Sequence, residues 1–142
     1  THPDTRADEG IRYFQYALLP HEGAFSAQNT VQPAYSFQNP FVLCRGGKAL
    51  NPIVKITAPN IICETVKVSE DGEDTILRCF ESEKSRTVTA LHFGQRYDVF
   101  VCNLLEEILL PIASDCVSTE MEFAPFEMKT IRLHRKENSI SS

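Results

Sequence analysis

Among side chains that carry chemistry, this chain offers four His, five Cys and nineteen Asp or Glu. A glycoside hydrolase needs two carboxylates facing each other across the scissile bond, and Glu70, Asp71, Glu73 and Asp74 lie together around Gly72. Nothing apolar nearby would raise a carboxyl pKa for acid work, so the expectation is a hairpin turn with solvated carboxylates. The cluster also lacks the alternating Asp or Asn before Gly72 and the Glu six residues after it that a calcium loop uses. His2, His21, His92 and His134 show no paired ligand spacing, and no two of Cys44, Cys63, Cys79, Cys102 and Cys116 stand at the two-residue separation of zinc or redox motifs. No metal site is therefore expected within the chain. There is no Gly-x-Ser-x-Gly elbow, and Gly46-Gly47-Lys48 lacks both the spacer and the following Ser or Thr of a phosphate loop.

Two polar residues stand out from this background. His21 follows an apolar run in Leu19-Pro20-His21-Glu22-Gly23, where Gly23 can turn the chain and aim the ring at a partner surface, or leave it to shape the turn by a local hydrogen bond. Arg78 is the single cation in Thr75-Ile76-Leu77-Arg78-Cys79-Phe80-Glu81 and must find a carboxylate, a carbonyl or a ligand hydroxyl. An ion pair inside the fold is the first expectation for it, and substrate contact the second.

The elements that must position these residues read as strands. Ile11 to Leu19, Ile53 to Thr57, Ile61 to Val68, Thr75 to Glu81, Arg86 to Phe93, Tyr97 to Leu104 and Phe126 to His134 are short and rich in β-branched or aromatic residues. Turn residues separate them at a spacing of about ten, the pattern of an all-β antiparallel sandwich. Asn29 to Leu50, broken by Pro33, Asn39-Pro40 and Gly46-Gly47, reads as a long connection with at most a short strand at Phe41 to Cys44. Leu104, Leu105, Ile108 and Leu109 recur at a spacing of four, which predicts a helical turn over Asn103 to Leu110, stopped by Pro111. We expect one sandwich domain over residues 1–135 and a polar tail over 136–142.

With 142 residues there is room for one domain and none for a large catalytic barrel beside it. Fourteen Lys and Arg against nineteen acids give a net charge of -5, and no basic patch forms, so nucleic acid is not an expected partner. No apolar run approaches the ~20 residues of a membrane span, so no membrane partner is expected either. Cys63, Cys79 and Cys102 lie inside apolar or β-branched runs, where a free thiol packs as a small hydrophobe, which favours a reducing, cytoplasmic setting. A secreted domain with two disulfides and a spare thiol is the alternative. Thr1-His2-Pro3-Asp4 opens the chain as an excised piece would.

Four stretches taken in order resemble the C-terminal β-sandwich region of the retaining α-mannosidases, glycoside hydrolase family 38, a sandwich of the galactose-mutarotase type. They are Asp8-Glu9-Gly10 through the Pro20-His21-Glu22-Gly23 turn; Ile61 to Glu81, with Glu64-Thr65-Val66-Lys67, the Ser69 to Gly72 turn and Ile76-Leu77-Arg78; Cys102-Asn103-Leu104-Leu105-Glu106; and Phe123 to Leu133. Val31 to Ser36 and Glu64 to Lys67 are most similar to the branch with cytosolic and bacterial enzymes. Glu81-Ser82-Glu83-Lys84-Ser85 departs from the pattern, which often has Gly after the Glu.

The resemblance implies an α-mannosidase split across domains, hydrolysing terminal α-linked mannose with retention through a covalent glycosyl-enzyme. An upstream barrel of the same protein would carry the divalent metal, zinc or cobalt, the Asp nucleophile and the acid/base carboxylate. This chain then has no catalytic residue, no metal ligand and no cofactor of its own, and is expected to be inactive alone. His21 and Arg78 become candidate contacts to the mannoside substrate or to the barrel. A stand-alone carbohydrate-binding or protein-interaction sandwich is the rival reading. The absence of Trp weighs against the first form and the lack of a Cys, Trp, Cys core against the second.

Overall fold

A computed structural model describes residues 9–43, 45–46 and 51–135. Six strands lie among the described residues: β1 (Val54–Ile56), β2 (Ile61–Val68), β3 (Thr75–Glu81), β4 (Thr87–Cys102), β5 (Ile108–Phe123) and β6 (Met128–His134). They pair antiparallel in the order β1-β4-β6-β3-β2, with β5 also on β4. The first half of β4 takes β1 as its second neighbour and the last half takes β6, so the long β4–β5 ribbon serves two layers. Between them it bends: Phe93 to Arg96 stand opposite Val117 alone, because the register jumps from His92↔Ser118 to Tyr97↔Cys116. Leu91, Phe93, Met121 and Phe123 from one half thereby meet Tyr97, Val99, Leu77, Cys79, Ile131 and Leu133 from the other in one core, the antiparallel sandwich the periodicity predicts.

The β2 and β3 boundaries are those predicted. Gly94, read as a break between two strands, is instead inside one. Its amide donates to the Ile53 carbonyl at 3.3 Å, and a Cβ there would lie 2.7 Å from the Pro52 carbonyl oxygen. Since that neighbour is backbone, Gly94→Ala is expected to cost about 1–3 kcal/mol in urea denaturation. Gly46→Ala, where a Cβ meets nothing within 4 Å, is expected to stay within about 0.5 kcal/mol.

Three predicted elements are corrected. Ile11 to Leu19 makes no ladder, and Ile11, Tyr13, Phe14, Tyr16 and Leu18 are exposed; a strand with apolar residues on both faces needs covers that the described residues do not supply. Within the predicted long connection, a π-helical turn (Ala27–Val31) leads into α1 (Gln32–Gln38). Ser26 Oγ caps it by accepting from the Asn29 amide at 3.1 Å, and Pro33 sits in the first turn, where its missing N–H costs nothing. Residues 41–43 form no strand, and Cys44 and the predicted tail lie outside the described residues. The helical turn over Asn103 to Leu110 is a tight turn followed by β5. The Asn103 side-chain oxygen accepts from the Leu105 and Glu107 amides at 2.9 and 3.0 Å, which holds the turn, and Pro111 is tolerated because β5 is an edge strand.

Candidate functional site

Alternation along β3 sends Leu77, Cys79 and Glu81 inward and Ile76, Arg78 and Phe80 to the outer face. Across the ladder Arg78 stands opposite Thr65 of β2 and Thr130 of β6, and Ile76 opposite Arg132. The turn after β4 folds back over this face, far enough for Leu104 to accept from Arg78 Nη2 at 3.3 Å. It also brings nearly buried Glu106 to Lys67 at 2.7 Å and to the Glu70 amide at 2.8 Å. The expected ion pair of Arg78 is therefore replaced by a carbonyl contact, and its Nε is buried without a hydrogen-bond partner among the described residues. Lys67 and the Glu70 amide hold Glu106 below the usual carboxylate range, with a smaller contribution from the Arg78 charge.

The turn acids also differ from the solvated cluster expected. Arg132, 14% exposed, reaches from β6 to Asp74 at 2.5 Å and Asp71 at 2.6 Å, and His134 Nδ1 lies 2.7 Å from the other Asp74 oxygen. Asp74 is 3% exposed at its side chain and is thus committed on both oxygens. The Ser69 hydroxyl, Arg132 and the Glu73 amide hold Asp71 down at about 2, and Arg132 is held charged by both Asp partners. The signal that could have found this cluster is the alternation Ile131-Arg132-Leu133-His134, which sets two basic side chains on the outer face of a core strand.

Glu81, entirely buried, is the hub of a second set. Its Oε1 accepts from Asn60 Nδ2 at 2.9 Å, the Glu83 amide at 2.7 Å and Ser85 Oγ at 3.2 Å, and its Oε2 from the Phe126 amide at 3.0 Å. Burial pushes the carboxyl up, but the Phe126, Asn60, Glu83 and Ser85 donors outweigh it and hold it at about 2. The segment after Glu81, where the sequence departs from the resemblance, is thus organised by Glu81 itself.

His21 is exposed beside Gly23, whose φ of +80° makes the turn. Its Nδ1 faces the Glu22 carbonyl at 3.2 Å, and the ring lines an apolar hollow of about 480 Å³ with Leu18, Leu19, Pro33, Ala34 and Phe37. The strand expected to end at His21 does not form, so His21 and Arg78 sit on different kinds of scaffold: a coil packed by α1 and a central strand. The helix does approach the face that Arg78 shares with Phe80, through Tyr35 and Phe80 rings 6.3 Å apart.

Chemically these groups are braces. Among the described residues, every carboxylate with a shifted acidity, Asp71, Glu81, Glu106 and Glu127, is shifted downward. An acid catalyst for glycoside cleavage needs the opposite. No three His, Cys, Asp or Glu side chains gather to hold a metal among the described residues, and the one close His–Asp pair already shares its carboxylate with Arg132. Among the described residues no helix is long and apolar enough to cross a membrane.

Comparison with known proteins gives this arrangement a context. Residues 60–131, about half of the chain, match the family described as "Glycosyl hydrolases family 38 C-terminal beta sandwich domain". "Alpha-mannosidase G" of Dictyostelium discoideum is 27% identical over 92% of the chain, and "Alpha-mannosidase 2C1" of Homo sapiens is 32% identical over 73%. "Alpha-mannosidase 2C1" of Mus musculus is 27% identical over 92%. The chain spans only 13%, 11% and 14% of the lengths of these relatives.

Proposed function

The chain belongs to the C-terminal β-sandwich domains of glycosyl hydrolase family 38, and from that premise we propose that it is the non-catalytic sandwich of an α-mannosidase. The whole enzyme removes terminal α-linked mannose with retention. The observation that carries this reading is the family match over 60–131, since those residues include β2 to β5 whole and most of β6. The downward-held carboxylates support assigning the nucleophile, the acid/base group and the zinc or cobalt ion to an upstream catalytic barrel. The sandwich packs on that barrel and completes the enzyme around it. The four unlinked thiols among the described residues support a cytoplasmic setting.

The experiment is a comparison of three proteins on an aryl α-mannoside with zinc or cobalt present. The 142-residue chain alone is expected to be inactive, the full-length protein active, and the full-length protein lacking residues 60–131 inactive. Turnover by the chain alone would overturn the assignment of roles. His21 and Arg78 are proposed as contacts to the barrel or to sugar hydroxyls, His21 because its ring is exposed and Arg78 because it stands on the outer face of β3. In the full-length protein Arg78→Ala is expected to lower kcat/KM about tenfold, the equivalent of one charge-assisted hydrogen bond, and His21→Ala to lower it less. A loss confined to Tm would give both a purely structural role.

A further inference from the structure

Two thiols face each other across the β2–β3 ladder. Cys63 and Cys79 are direct Cα partners, and both side chains point inward: Cys79 is fully buried in the core cluster and half-buried Cys63 packs against it. Opposed residues of an antiparallel pair have Cα atoms about 4.5–5.5 Å apart, within the range of about 4.4–6.8 Å that a disulfide spans. Closing the bond therefore needs side-chain rotation and no rebuilding of the sheet. Access is unequal. Cys79 is flanked by β2 on one side and Lys129 of β6 on the other, whereas Cys63 lies on the edge strand, next to the register shift between Cys63 and Thr65.

We propose that Cys63 and Cys79 are a site of reversible oxidative modification, in which a hydroperoxide converts the two thiols to an intramolecular disulfide with Cys63 as the attacking and Cys79 as the resolving sulfur. The acidities agree with these roles: hydrogen bonding from Cys79 lowers the Cys63 thiol, while Cys63 and burial push Cys79 up. In the first step the Cys63 thiolate attacks the peroxide, an S–O bond forms as O–O breaks, and the released oxide takes a proton and leaves as water or alcohol. In the second, the Cys79 sulfur attacks Cys63, S–S forms as S–O breaks, and the departing hydroxide takes the Cys79 proton and leaves as water. The thiols lose two electrons and the peroxide gains them. A dithiol reductant returns the pair by exchange.

The test treats the full-length protein with hydrogen peroxide near neutral pH, blocks free thiols by alkylation and maps peptides by mass spectrometry. A peptide linking Cys63 to Cys79, lighter by about 2 Da than its reduced halves and released by dithiothreitol, is the expected result. In Cys79→Ser the link should vanish and Cys63 should become reactive toward dimedone, the trap for sulfenic acid; in Cys63→Ser, Cys79 should stay reduced. Wild-type protein in which both thiols remain alkylatable, in which Cys63 passes to sulfinic acid unlinked, or in which either pairs with a different cysteine overturns the proposal. Because the wild-type map is decisive, the proposal stands or falls even if a variant fails to fold, and independently of mannosidase activity.

Discussion

Glu81→Gln is expected to destabilise the domain by about 2–4 kcal/mol, a large share of the about 5–15 kcal/mol that holds a domain folded. The carboxylate accepts four hydrogen bonds from three separate segments: Asn60 before β2, the 83–85 loop, and Phe126 before β6. An amide can satisfy the three donors at one oxygen only by turning its own NH₂ toward the Phe126 amide, donor against donor. It also gives up the charge that strengthens every one of these bonds. Glu81→Ala leaves all four donors buried and is expected to cost more. Urea denaturation of the three proteins at neutral pH measures both differences. A Glu81→Gln midpoint indistinguishable from wild type would show that water replaces the lost acceptor.

The same group sets the acid limit of the fold. Its carboxyl lies at about 2 in the folded protein against an ordinary 4.5. As pH falls below about 4.5 the unfolded chain takes up a proton that the folded one still refuses, so unfolding is favoured. The stabilisation, ~3 kcal/mol at neutral pH, is fully present above 4.5 and is lost progressively down to about 2. Asp71, Glu106 and Glu127 are depressed too and add to the slope in the same direction. Tm measured between pH 6 and 3 should therefore fall steeply in wild type and less steeply in Glu81→Gln, with the two curves converging at the acid end.

How much of this could be read from the residues depends on the range of the interaction behind each feature. Ile61–Val68 and Thr75–Glu81 were legible to the residue because each packs one face on the core, so that burial imposes its own alternation, and Ser69 to Asp74 supply an unmistakable turn. β5 was not, because its apolar residues mislead: the leucines at a spacing of four imitate a helix face, and from Ser114 to Ser118 an edge strand on a bend has little to bury. The exposed run from Ile11 to Leu19 failed for the opposite reason: its composition is that of a strand whose covering surfaces are not among the described residues. At the site, Arg78 announced itself as the single cation of an apolar strand that Glu81 ends. The contacts to Leu104 and Phe126 did not, since both are made through the main chain and carry no signature of side-chain type. The Arg132–Asp74 pair spans 58 positions and exists only through the β3–β6 register.

Leu105→Glu with Leu109→Glu is expected to leave the isolated chain nearly unchanged and to disable the proposed full-length mannosidase. Leu105 and Leu109 are 78% and 64% exposed, and Leu104, Ile108 and Leu110 beside them are exposed as well. Residues 108 to 110 begin β5, whose outer edge has no ladder partner, so apolar side chains on both faces of an open strand meet solvent together. Such an edge invites pairing or coverage, and the relatives are roughly seven to eight times as long as this chain, which leaves ample further chain from which the cover could come. In the isolated domain the two glutamates replace exposed leucines and should shift stability by no more than about 0.5 kcal/mol. Against a covering domain each substitution forfeits about 1.5–3 kcal/mol of apolar burial and forces a carboxylate out of water, a further cost of several kcal/mol unless the interface opens. The full-length double variant should therefore show a separate low-temperature unfolding step for this domain and a large loss of turnover. Equal, small effects in both proteins would mean that this strip faces water in the full-length protein and that the proposed barrel is held by another surface, for which the exposed aromatic run from Ile11 to Leu19 is the next to test.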